Sequence, residues 1–190
     1  MADLTEIANI ALIELGAQVI TEIGEGSDNA NTLKSNFNSV RDVVLRSHPW
    51  NCASARKLIA ADPTQPNFGY AYRYALPTDP YCLRVVKVNG NKVAWNVEGR
   101  WILTDVAGPI EVQYIARPKT PEELDPMLAD VIGLSLAARC AQRIANSKTK
   151  KEKAEAAAER ALKSARSVDG QEGTPDQPAE SELYLSRFSS

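Results

Sequence analysis

The sequence predicts an α+β protein: a four-helix bundle, an antiparallel β domain inserted into it, and an extended C-terminal tail. Three observations carry this. Apolar residues recur at helical spacing over residues 1–49 and again over 118–167, the period changes to that of strands over 50–117, and residues 168–190 mix Pro, Gly and acids without period. Neither helical half can bury its apolar stripe alone, so the two pairs are expected to close one bundle from which the strands project.

In chain order, Asp3 followed by Glu6 has the form of a capping box, and Leu4, Ile7, Ala8, Ala11 and Leu15 continue one helical face to Gly16. The loop to Asp28 holds Gly24 and Gly26 but also Val19, Ile20 and Ile23, which are expected to tuck under the helices. Ser27 or Asp28 caps a second helix. Its buried face is Ala30, Leu33, Phe37, Val40 and Val44, with Asn31, Lys34, Asn38 and Arg41 opposite, and Pro49 ends it.

Strands are predicted over residues 50–60, 70–76, 82–88, 92–97, 100–104 and 110–116. Asn89-Gly90 between two apolar runs signals a hairpin, because both residues tolerate the positive φ of a tight two-residue turn. Glu98-Gly99 is a weaker second turn and Ala107-Gly108-Pro109 a third break. Short antiparallel strands at this spacing form a small sandwich or a curled sheet, with Tyr70, Tyr72, Tyr74, Tyr81, Trp95 and Trp101 supplying contact area.

Asp125 before Pro126 reads as an N-cap followed by a first-turn proline. Met127, Leu128, Val131, Leu134, Ala138 and Ala141 continue that stripe to about Asn146, and Leu136 and Cys140 widen it. Residues 147–167 form a fourth helix of Ala, Lys, Glu and Arg with only Leu162 large and apolar, so it sits on a surface. The tail carries Asp169, Glu172, Asp176, Glu180 and Glu182 and ends in the apolar residues Leu183, Tyr184, Leu185 and Phe188, with Arg187 among them.

A chain of 190 residues, 44% hydrophobic, can bury a real core. Its net charge of -2 and pI near 5.6 argue against a surface given over wholly to nucleic acid. Cys52, Cys82 and Cys140 are odd in number and widely spaced, which suggests neither a zinc pair nor a complete disulfide framework. The start lacks the basic and apolar blocks of a secretion signal, and no apolar run approaches the roughly 20 residues that cross a bilayer. The expectation is a protein made and used in a cytoplasm, or in a particle assembled there, without membrane contact.

The chemistry of catalysis finds little footing. His48 is the sole histidine, placed between a helix end and a proline, where a helix-terminal or packing role suits it better than a triad. Glu122 with Asp125 and Glu152 with Glu155 are acidic pairs among lysines, read as solvated ion pairs. Gly24-Glu25-Gly26 lacks the preceding strand and following lysine of a phosphate loop. No catalytic, cofactor or metal residue is assigned. Lys148, Lys150, Lys151, Lys153 and Arg160, with Lys163 and Arg166, could grip phosphates, but Glu152, Glu155 and Glu159 interleave with them as on an ordinary charged face. A basic helix leading into an acidic, apolar-ended tail better fits electrostatic contacts with a neighbour, with Leu183, Tyr184, Leu185, Arg187 and Phe188 docking on a partner.

Several segments, taken in order, carry a resemblance. These are the first helix closing at Leu15-Gly16, the Asn29-Ala30 entry to the second, its exit through His48-Pro49-Trp50-Asn51, the aromatic strand from Phe68 into Leu76-Pro77-Thr78-Asp79, and the last two helices. In this order they resemble the tail tubular protein A family, the head-to-tail adaptors of short-tailed phages, over nearly the whole chain. The resemblance implies a helical bundle with a strand domain and a homo-oligomeric ring, a dodecamer, below the portal protein. It further implies attachment of a tail nozzle protein and fibres beneath, passage of genomic DNA without sequence-specific binding, a C-terminal tail reaching toward the portal, and residence in the virion. It supplies no catalytic residues. Another neck or tail-completion protein, or a small nucleic-acid-binding protein using the fourth helix, are the alternatives.

Overall fold

The computed structural model describes residues 3–172. Among them the fold is mixed α+β, with four α-helices and two small antiparallel sheets. Helix α1 spans Leu4–Glu14, and the capping box is complete: the Asp3 carboxylate accepts from the Glu6 N–H at 2.7 Å while the Asp3 N–H donates to Glu6 Oε2 at 3.0 Å. Gly16 at φ +58° turns the chain out of the helix. The following loop does bury Ile20, and Ile23 packs against the core, but Val19 stays exposed. Ile20 is held by Asn9, whose amide accepts from its N–H and donates to its carbonyl, both at 2.9 Å, as a neighbouring strand would.

Helix α2, Asp28–Arg46, is capped by Ser27, whose Oγ accepts from the Ala30 N–H at 3.3 Å. It stops three residues short of Pro49, because a proline disfavours helical backbone in the residue before it. The indole N–H of buried Trp50 then donates to the Val44 carbonyl at 3.0 Å, which also accepts from the Ser47 N–H and hydroxyl, so the residues after the helix fold back onto its last turn.

The strands are β1 (Ser54–Ile59), β2 (Tyr72–Ala75), β3 (Cys82–Val88), β4 (Trp95–Glu98), β5 (Trp101–Thr104) and β6 (Ile110–Ala116). The third and sixth match their predicted bounds. The first begins later than predicted, because Asn51–Ala53 form a 3-10 turn, the second and fifth are shorter, and the fourth is both shorter and shifted to end at Glu98. One sheet has the order β1-β6-β3 and the other β2-β5-β4.

The Asn89-Gly90 hairpin is not formed. Asn89, Gly90 and Asn91 all have positive φ, at 46°, 63° and 60°, and the third left-handed residue carries the chain away from β3. Asn89 Oδ1 accepts from the Glu111 N–H at 2.8 Å, tying the turn to β6, and β4 pairs with β5 in the other sheet. The weaker turn signal is the true hairpin: Glu98 pairs with Trp101 across Gly99-Arg100, with Gly99 at φ +57°.

The two sheets share a core, with Tyr74 and Ile102 from one meeting Val85, Val88, Val112 and Tyr114 from the other. Leu83 and Ile115 belong instead to the helical core beside Leu45 and Trp50. Strands β3 and β6 thus serve both cores, and α2 packs against β3.

Helix α3, Pro126–Ala145, begins as read: Asp125 accepts from the Met127 and Leu128 N–H groups at 2.8 and 3.3 Å, and Pro126 takes the first turn. It packs against α1, α2 and α4. The approach to α1 is close, for a Cβ on Gly133 would stand 2.8 Å from the Ile10 side chain. Helix α4, Lys148–Asp169, lies on α3 through buried Ala154 and Ala165. The alanines on this side of α4 let α3 of the same chain approach closely. Helix α4 also runs past the predicted boundary at 167, because Asp169 is tied down at the far end of α2. The remaining tail, with Leu183, Tyr184, Leu185, Arg187 and Phe188, lies outside the described residues.

Candidate functional site

Where α2 meets the strands, arginines from four elements converge. The Arg46 guanidinium donates to the Leu83 carbonyl, and Arg84 Nη1 returns a bond to the Arg46 carbonyl at 2.9 Å. Asp42, one turn back on α2, is held by Arg117 at 2.6 Å and by Arg41 at 2.9 Å. Arg100, from the β4–β5 turn, donates to the Cys82 carbonyl at 2.7 Å and the Pro77 carbonyl at 2.8 Å. The Tyr81 ring centroid is 4.2 Å from the guanidinium carbon of Arg100 and 4.5 Å from that of Arg117.

These side chains line a groove of about 490 Å³ whose apolar floor includes Leu76, Val85 and Val97. Asp42 is the acid among its lining residues, and it is engaged by Arg117. Arg46, Arg84 and Arg100 donate to carbonyls, which satisfy their hydrogen bonds without cancelling their charge. The groove is thus cationic and partly apolar. Burial pushes the Cys82 thiol up, with Arg100 and Arg46 opposing, so the thiolate that nucleophilic chemistry needs is disfavoured.

A second surface lies on the β2-β5-β4 sheet, around Arg73, Glu98, Trp101 and Leu103. Residues 60–71 form a loop whose tip exposes Phe68 to 89%. Its base is ordered: Asp62 accepts from Arg73 Nε and Nη2 at 3.0 and 2.9 Å and from the Thr64 N–H at 2.9 Å, while the Arg73 guanidinium stacks on Trp101 at 4.3 Å. Beside Phe68 is a shallow groove of about 410 Å³ lined by Pro66, Tyr70, Trp101 and Leu103.

The cations singled out in the sequence are spread along α4. Lys148 lies 3.8 Å from Glu152 and Lys151 3.7 Å from Glu155, the predicted ion pairs at helical spacing, whose exposure leaves them worth little. Lys150 donates to the Leu15 carbonyl at 2.7 Å, so its ammonium completes the end of α1. Lys153 and Arg160 are exposed. His48 Nε2 is 3.0 Å from Asp169 Oδ2, and its ring meets Trp50 edge-on at 4.7 Å, a packing and tethering role. Asp125 is spent capping α3. All three cysteines are free, and among the described residues no His, Cys, Asp or Glu cluster could hold a metal and no helix is long and apolar enough to cross a membrane.

Sequence reasoning missed the arginine groove and the Phe68 tip. Arg46, Arg84, Arg100 and Arg117 share no motif spacing, since the register of β3 and the β4–β5 turn brings them together. The one available signal for Phe68 was its place between Pro66 and Gly69, a loop composition that gives a large aromatic residue little to pack on. Compared with family models and with curated proteins, the chain matches none.

Proposed function

We propose that the protein is a structural head-to-tail adaptor of a podovirus-like phage, whose copies form a ring, a dodecamer, between the portal protein and the tail nozzle. The four helices act in this reading as one bundle and the strands as its insert. The observation that carries it is the packing of α3, from the second half of the chain, against α1 and α2 from the first. The chain is thereby closed on itself around an intervening β module, in the order that the resemblance implies. A rigid bundle with a projecting module gives each subunit two unlike faces, and unlike faces in contact repeat until rotation closes a ring.

The β module offers Phe68 and its neighbouring groove to the next subunit or to the nozzle. The segment from Leu183 to Phe188 serves the portal. Genomic DNA passes through the ring without sequence-specific contacts, no cofactor takes part, and the protein assembles rather than catalyses. The tethering of Lys150 and the glutamates beside Lys148 and Lys151 weigh against a phosphate-gripping fourth helix.

The test is binding of the purified chain to portal-bearing particles that lack tails. Attachment that tolerates raised salt, and is lost on deleting residues 173–190, supports the reading. Attachment to DNA alone, falling steeply with salt and with neutralisation of Lys151 and Lys153, opposes it. The deletion starts at 173 because Asp169 is part of the folded unit.

A further inference from the structure

The arginine groove combines two properties that one ligand must answer together. Arg46, Arg84 and Arg100 present positive charge that no carboxylate among the described residues neutralises, while Val97 and the Tyr81 ring, each 37% exposed, offer apolar surface. A phosphate backbone would meet the charge and leave the apolar floor wet. An acidic peptide with large apolar side chains beside its carboxylates meets both.

The chain carries such a segment, and the fold delivers it close by. Residues 180–188 read Glu-Ser-Glu-Leu-Tyr-Leu-Ser-Arg-Phe. The end of α4 is pinned to the corner after α2: Asp169 accepts from the Asn51 N–H at 2.9 Å, Asn51 Nδ2 donates to the Asp169 carbonyl at 2.7 Å, and Arg166 donates to the Ser47 carbonyl at 3.2 Å. Ser47 adjoins Arg46, a wall of the groove. Residues 173–179 can span roughly 20 Å when extended, at about 3.3 Å per residue, which gives Glu180 reach from that corner.

We infer that in the free protein this groove is the docking site for residues 180–188 of the same molecule. Glu180 and Glu182 face Arg46 and Arg84, and Leu183 and Leu185 lie on Val97 and Tyr81. Tethering holds the segment at a millimolar-scale effective concentration, so modest contacts suffice to keep it seated. The inference does not rest on the adaptor reading, and a partner that takes the tail has to displace it from the groove.

The experiment is photo-crosslinking of the full chain with benzoylphenylalanine in place of Tyr184, in a mixture of isotopically heavy and light molecules at low concentration. The expected crosslinks join the probe to Tyr81, Val97 or their neighbours within one molecule. Arg84→Glu lowers their yield by about fivefold or more, and adding Glu180→Arg with Glu182→Arg restores it. Should Arg84→Glu impair folding, Val97→Asp on the exposed strand is expected to give the same loss. Crosslinks to the lysine face of α4, crosslinks joining heavy to light molecules, or yields unmoved by both Arg84→Glu and Val97→Asp would each overturn the assignment. So would a short DNA duplex that binds the full chain through Arg84 while leaving the tail crosslinks unchanged.

Discussion

Asp169 Oδ2 lies 3.0 Å from His48 Nε2, joining the last turn of α4 to the residues that follow α2 across 121 positions of sequence. The other carboxylate oxygen accepts from the Asn51 N–H at 2.9 Å. Both side chains are mostly shielded, at 23% and 13% exposure, unlike the Lys–Glu pairs on the outer face of α4. Asp169→Ala removes the acceptor for both donors and is expected to cost about 1–3 kcal/mol of stability. In urea unfolding, a cycle with His48→Ala should show coupling between the two positions. Additive losses would mean that the pair contributes only by packing.

Gly133→Ala sets two effects against each other. Alanine gains about 1 kcal/mol in helix propensity, but its Cβ would stand 2.8 Å from Ile10 Cβ and Cγ2 and 3.1 Å from the Ile7 carbonyl oxygen. Backbone on one side of the contact cannot yield as a flexible side chain would, and overpacking of this kind costs about 1–3 kcal/mol. A net fall in melting temperature is the expected result. A rise would mean that α1 and α3 part without cost.

Asn9→Ala leaves the N–H and carbonyl of buried Ile20 without their partners. A loss of about 1–3 kcal/mol follows, concentrated in the loop between α1 and α2. Hydrogen exchange is the direct readout: the Ile20 amide should lose protection while α3 amides keep theirs. Equal loss in both places would make the brace part of the global fold.

The Phe68 loop carries a pH dependence. The hydrogen bond from Arg73, and then that from the Thr64 N–H, hold the Asp62 carboxyl below the ordinary aspartate range. A depressed folded value means that its contribution is complete above the unfolded value and is lost as pH falls through the folded one. The Trp101 indole, on which Arg73 stacks, reports this by NMR. Its signal should move on acidification at a pH below that of an ordinary aspartate. Asp62→Asn should hold it near its acid position at neutral pH and abolish the transition. A midpoint in the usual range would argue that Arg73 does not bind the carboxylate.

Local signals carried the helices well. Asp3 with Glu6, Ser27, and Asp125 with Pro126 each satisfy N–H groups a few residues away, so their meaning is complete within a short window of sequence. Strand pairing is not local in that sense. Asn89-Gly90 has the composition of a hairpin, but the outcome turned on Asn91 and on the bond from Glu111, 22 residues distant. The arginine groove is still less legible, because the pairing of β4 with β5 has to be known before Arg100 can be placed beside Cys82 and Tyr81. Lys150 looked like its neighbours in sequence, and only the end of α1 sets it apart.

The adaptor assignment is tested most directly by locating the chain in the mature particle by electron cryomicroscopy. The account predicts a closed ring of copies between portal and nozzle, with the β modules touching a neighbouring subunit or the nozzle and the chain ends reaching the portal. An isolated copy without contacts between subunits, or particles that carry none of this chain, would contradict it.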